Sequence, residues 1–154
     1  MAETLAQLER FIVAWRAKLD AQCELRFERE AVEGAAGLHT AIADGFVAKH
    51  ELTPIGFNWE MLDPASETGE RSAVAAMAGA LTKNMVFPSQ EWLGEEAAQQ
   101  CARDFVACFN PAACTMLTNR MDFGWNPISE ATIEWAFVGF DDQAIALVLL
   151  MAED

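Results

Sequence analysis

The feature that most restricts the fold is the run Ala144-Ile145-Ala146-Leu147-Val148-Leu149-Leu150-Met151-Ala152, apolar throughout and closed by Asp141-Asp142-Gln143 before it and Glu153-Asp154 after it. A membrane-spanning helix needs roughly 18–20 apolar residues, so this run is too short to cross a bilayer. Its length and its apolar character on both parities fit a strand instead, and the most buried strand of its sheet. The segment before it prepares such a sheet. Ile133, Trp135 and Phe137 alternate with Thr132, Glu134 and Ala136, and Thr115, Leu117, Asn119, Met121, Phe123 and Trp125 share one parity. Asn126-Pro127-Ile128-Ser129 and Asp141-Asp142-Gln143 are turn formers between these stretches. Three strand-like segments joined by two turns make an antiparallel meander.

Upstream the period changes. Leu5, Leu8, Ile12, Trp15 and Leu19 recur at spacings of three and four, which predicts a helix over 4–22. Leu38, Ile42 and Phe46 predict a second over 37–50, stopped by Pro54. Val74, Met77, Leu81 and Met85 predict a third over 70–86, and Leu93, Ala97, Cys101, Phe105 and Cys108 a fourth over 89–109. Gly34 and Gly37 punctuate the chain between the first two. Residues 24–30 are read as a continuation of the first helix, whole or broken. Arg26/Glu30 and Arg29/Glu33 are sound i,i+4 pairs, although Leu25 and Phe27 alternate with charges as they would in a strand. Residues 55–61 place an apolar residue at each odd position and predict an extra strand, weakened by Gly56.

Helices early and strands late predict one α+β domain over 1–154, its helices packed on one face of a small antiparallel sheet formed mainly by the C-terminal meander. No repeat, linker or low-complexity tract divides the chain.

Charge sets the expectation for partners. The 154 residues hold 24 Asp and Glu against 10 Lys and Arg, a net of −14, while 53% are hydrophobic and the mean hydropathy is +0.10. Residues 1–34 contain 7 acids and 5 bases, whereas 35–154 contain 17 and 5. Such a balance disfavours phosphate-backbone binding and anionic membrane surfaces, and it steers a basic protein inward. The N-terminus lacks the features of a secretory signal, so the expected location is the cytoplasm. Cys23, Cys101, Cys108 and Cys114 form no Cys-x-x-Cys pair and are expected to be free, largely buried thiols.

Catalytic signatures are missing. No Gly-x-Ser-x-Gly elbow, Walker loop or Gly-x-Gly-x-x-Gly turn occurs. His39 and His50 stand eleven residues apart, too far along one helix to share a metal. No cofactor is expected, and the acidic pairs Glu95-Glu96, Asp141-Asp142 and Glu153-Asp154 read as solvated carboxylates outside any calcium-loop pattern.

Tryptophan is the more suggestive residue. Trp59 and Trp135 each adjoin a glutamate, and on a strand Glu134 would face solvent while Trp135 packs inward. Trp125 lies in the turn-like Asp122-Phe123-Gly124-Trp125-Asn126-Pro127, an aromatic near acids as in protein-binding hot spots. The expected function is therefore a non-catalytic, acidic protein-binding module that neutralises or regulates a basic partner, as immunity proteins, antitoxins and inhibitors do. Its expected contact surface is Trp125, Glu130, Glu134, Asp141 and Asp142 beside the meander turns. The competing expectations are a small-molecule-binding domain with a Trp- and Met-lined pocket, and an enzyme whose acids and thiols meet only on folding. An open sheet edge would also let a second copy pair as a homodimer. The central expectation is that the surplus acids converge on one continuous surface.

Overall fold

The computed structural model describes residues 3–32, 37–121 and 124–154. The Arg29/Glu33 pairing, the Gly34 break and the Asp122-Phe123 tip lie outside these.

Helix α1 (Glu3–Leu19) leads into strand β1 (Glu24–Ala31), then α2 (His39–Lys49), β2 (Glu60–Leu62), α3 (Ala73–Thr82), α4 (Gly94–Val106), β3 (Thr115–Thr118), the short strands β4 (Arg120–Met121) and β5 (Gly124–Trp125), β6 (Ile133–Phe140) and β7 (Ala144–Ala152). Five strands form an antiparallel sheet in the order β1-β7-β6-β3-β2, and β4 pairs with β5 apart from it. The α+β class and the meander β3-β6-β7 are as expected, and β7 is buried from Ala144 to Leu150.

The two parities of β7 serve two cores. Ala144, Ala146, Val148 and Leu150 pack with α1, α3 and α4, among them Leu8, Phe11, Met77 and Phe105. Ile145, Leu147 and Leu149 pack with Phe46 and Val47 of α2 and with Trp59 and Ile128. Most helices thus share one face of the sheet, and α2 with its following loop covers the other. At roughly 25 cal/mol per Å² of apolar surface removed from water, a strand needs such double cover to have no polar parity at all.

Residues 24–30 correct the helical expectation. They are a strand, paired residue for residue with β7 from Glu24↔Met151 to Ala31↔Ala144. The alternation of Leu25 and Phe27 with charges prevails over the local i,i+4 pairs because β7 offers an apolar edge that an isolated helix would leave open. Phe27 is buried beside Phe11, ring centroids 5.9 Å apart. Asp20 starts the strand, its Oδ1 accepting the Leu25 N–H at 3.2 Å.

The extra strand near 55–61 is shorter and later than its period suggested. Gly56–Asn58 form a 3-10 turn with Gly56 at φ 61°, a left-handed conformation that favours glycine, and only Glu60–Leu62 pair with β3. Asp44 fixes this turn to α2 by accepting the N–H groups of Ile55 and Gly56, each at 2.9 Å, and the Trp59 indole N–H at 2.8 Å.

Candidate functional site

Of the five expected contact residues, three are exposed and two are structural. Trp125 is 40% exposed and lies 5.8 Å from the Arg120 guanidinium, which also stacks 4.5 Å from Trp135. Burial pulls the pKa of Arg120 below its ordinary value. Glu130 and Asp142 are exposed. They flank opposite ends of β6, separated by its eight residues and so by roughly 23 Å of strand. The five residues do not form one surface.

Glu134 corrects the expectation of a solvent-facing carboxylate. It is 0% exposed, while Trp135 is half-buried. The loop after β5 folds back over this face of β6. Glu134 ties it down by accepting Ile128 N–H at 2.8 Å, Ser129 N–H at 3.0 Å, the Ser129 hydroxyl, and Asn119 Nδ2 at 2.7 Å. Alternation places Glu134 on the parity of Ala136, Val138 and Phe140, which is the face that α2 and Ile128 cover.

Asp141 is likewise 3% exposed. It accepts the Thr4 hydroxyl at 2.6 Å, Asn110 N–H at 2.8 Å, Gln143 N–H at 2.8 Å and Ala144 N–H at 3.0 Å. Burial alone would raise its pKa, but these four bonds outweigh it and hold the carboxyl below the usual range. It joins the start of α1, the end of α4's loop and the β6–β7 turn.

A groove of about 610 Å³ occurs instead where β1 begins and β7 ends. Glu24, Glu130 and Glu153 stand along it, and no Lys, Arg or His is among its described lining residues. Phe87, 60% exposed, contributes the aromatic part of the wall.

The walls are held by polar contacts. Asn84 Oδ1 accepts the N–H groups of Val86 and Phe87, each at 2.9 Å, which turns the α3–α4 loop and projects the Phe87 ring. Asn84 Nδ2 donates to Gln22 Oε1 at 3.1 Å, and Gln22 Nε2 donates to the Glu91 carbonyl at 3.2 Å, so the loop is tied to the α1–β1 turn. Next to the lining residues Ala131, Ala152 and Glu153, Thr132 accepts Asp154 N–H at 2.8 Å, donates from its hydroxyl to the Ala152 carbonyl at 3.3 Å and donates its N–H to Glu153 Oε2 at 3.2 Å. Glu130 is the one groove residue among the five expected. Phe87, Glu24 and Glu153 were missed, though Phe87 stands off the helical stripe directly before Pro88, a signal available in the sequence.

Nucleophilic chemistry finds no support at the groove. Cys23 lines it, but burial first, then Asp20 and Glu24, push its thiol to about 12. Burial likewise raises Cys108 and Cys114 to about 12 each, and Cys101 further. All four cysteines are free, Cys101 and Cys108 buried, Cys23 and Cys114 half-buried. His39 opens α2 and His50 follows its end, where Nδ1 and Nε2 lie 3.5 and 3.7 Å from carboxylate oxygens of Glu28 and Glu30. Among the described residues no three His, Cys, Asp or Glu side chains gather as a metal would require. No described helix is long and apolar enough to cross a membrane.

Comparison with protein families, with characterised proteins and with solved structures finds no match to this chain.

Proposed function

We propose that the protein is an acidic binding module that captures a basic partner protein, and that the groove beside Glu24, Glu130, Glu153 and Phe87 is where it does so. The observation that carries this is the composition of the groove. It is a concavity of about 610 Å³ with, among its described lining residues, three carboxylates, no cation and an aromatic ring left 60% exposed. Exposed Phe is costly to leave in water and is enriched where proteins meet. Carboxylates around it draw in Lys and Arg side chains, whose aliphatic stems then cover the ring. The walls are held before any partner arrives, which lowers the ordering cost of association.

The net of −14 supplies the long-range field, and the groove supplies the place where that field ends in contact. This location replaces a surface centred on Trp125 and the β6–β7 turn, because Glu134 and Asp141 are committed to internal hydrogen bonds.

Affinity capture from the native host's lysate at low salt tests this, using the wild type beside a Glu24→Lys/Glu130→Lys/Glu153→Lys variant. The expected result is a basic protein retained by the wild type and lost from the variant. Equal retention by both would show that the groove is not the docking surface.

A further inference from the structure

A second cleft, of about 590 Å³, lies near the other end of the sheet, between α3, α4 and the loops that precede α3 and follow α4. Its walls are mostly apolar, with Pro64, Val74, Val106, Phe109 and Pro111 around the half-buried Cys114. Two observations distinguish it from an accidental dent.

First, both loops are fixed by their own polar groups. Asp63 Oδ1 accepts Ala65 N–H at 2.9 Å, the Ser72 hydroxyl donates to the Ser66 carbonyl at 2.6 Å, and the Ser66 hydroxyl donates to the Thr68 carbonyl at 2.6 Å. Opposite them, buried Asp141 holds Asn110 N–H at 2.8 Å, and Asn110 Oδ1 accepts Ala112 N–H at 3.1 Å. Second, the cleft has one cation among its described lining residues. Arg103 donates from Nε to Glu67 Oε1 at 2.8 Å, and among the described residues its two terminal amines have no partner. Glu67 thus fixes the direction of the guanidinium while leaving one edge of its fork open.

A pre-formed, mainly apolar cavity of 300–1,000 Å³ with a few placed polar groups is the usual form of a small-molecule site. The open edge of an arginine fork matches a carboxylate bidentately. We infer that this cleft binds a small apolar monocarboxylic acid, its tail against Val74, Val106 and Phe109 and its carboxylate on the terminal amines of Arg103. The acids nearest the cleft are already engaged, Glu67 on Arg103 Nε and Asp141 by the four hydrogen bonds it accepts, and exposed charges more than about 8 Å away are largely screened at physiological salt. The site is independent of the acidic groove and of any partner bound there.

The test is a titration of the ¹⁵N-labelled protein at physiological salt with hexanoate, hexan-1-ol and hexylamine. Hexanoate is expected to saturate with shifts at Val74, Val106 and Cys114, the other two binding at least about tenfold more weakly for want of a charged acceptor. Arg103→Gln, at a partly exposed position, should weaken hexanoate about tenfold and leave hexanol unchanged. Val106→Trp should block the cleft to all three. Hexanoate that produces no saturable shift at the cleft, hexylamine or hexanol that binds as tightly, or an Arg103→Gln variant with unchanged hexanoate affinity would each overturn the assignment.

Discussion

Asn119 and Glu134 interlock in the interior: Asn119 Nδ2 donates to Glu134 Oε2 at 2.7 Å, while Asn119 Oδ1 accepts the Ala136 N–H at 2.9 Å. Asn119 Nδ2 also reaches the Asn126 carbonyl at 3.1 Å, so one side chain bridges β6 to the loop that folds over it. Every side-chain bond to the Glu134 carboxylate is an acceptance, and without it the buried Ile128 N–H loses its acceptor and Asn119 and the half-buried Ser129 lose one each. Glu134→Gln keeps the shape but turns an amide NH₂ towards donors. It should destabilise the protein by roughly 2–3 kcal/mol, read as a lower urea midpoint at unchanged m-value.

Asp141 links pH to stability with a definite sign. Its folded pKa lies below the ordinary value because four hydrogen bonds outweigh burial. A depressed carboxylate pKa contributes stability that is fully present above the unfolded value of about 3.9 and is lost as pH falls through the folded pKa. Wild-type stability should therefore fall on acidification below about pH 4. Asp141→Asn should cost roughly 2–3 kcal/mol at neutral pH and progressively less in acid. Denaturant melts across this range check it.

Gly139 is a matter of space. A Cβ there would lie 2.7 Å from both Met116 Sδ and the Phe109 ring, so the ring would have to move off the sheet. Gly139→Ala should cost roughly 1–3 kcal/mol by overpacking. Phe109 also walls the apolar cleft, and its displaced ring should alter hexanoate binding there. Thermal unfolding and the hexanoate titration report the two effects separately.

The thiols should be inert in the native state. With Cys23, Cys108 and Cys114 pushed to about 12 by burial, and Cys101 raised further, little thiolate exists at pH 8. Iodoacetamide labelling followed by mass should be at least roughly a hundredfold slower in the folded protein than in urea.

The fold was largely legible because its signals are periodic. The apolar stripe of α1, the alternation of β6 and the unbroken run of β7 each exceed what local chemistry can override. Residues 24–30 misled because i,i+4 pairing is visible within seven residues, whereas the edge of β7 that recruits them lies more than a hundred residues away. Glu134 and Asp141 misled for a related reason. A carboxylate's place depends on which backbone N–H groups need an acceptor, and those belong to Ile128, Ser129 and Asn110 in loops without a period. The groove was only partly visible. Its acids come from β1, the β5–β6 loop and the residue that follows β7, and only the sheet order brings them together.

The most direct test of the acidic groove as a docking surface is the association rate of the captured basic protein, measured by stopped flow as salt is raised. The wild type should associate at least roughly tenfold more slowly at high salt than at low salt. The Glu24→Lys/Glu130→Lys/Glu153→Lys variant should already be slow at low salt, and Phe87→Ala should mainly speed dissociation. Rates that ignore both salt and the three charge reversals would contradict the proposed docking surface.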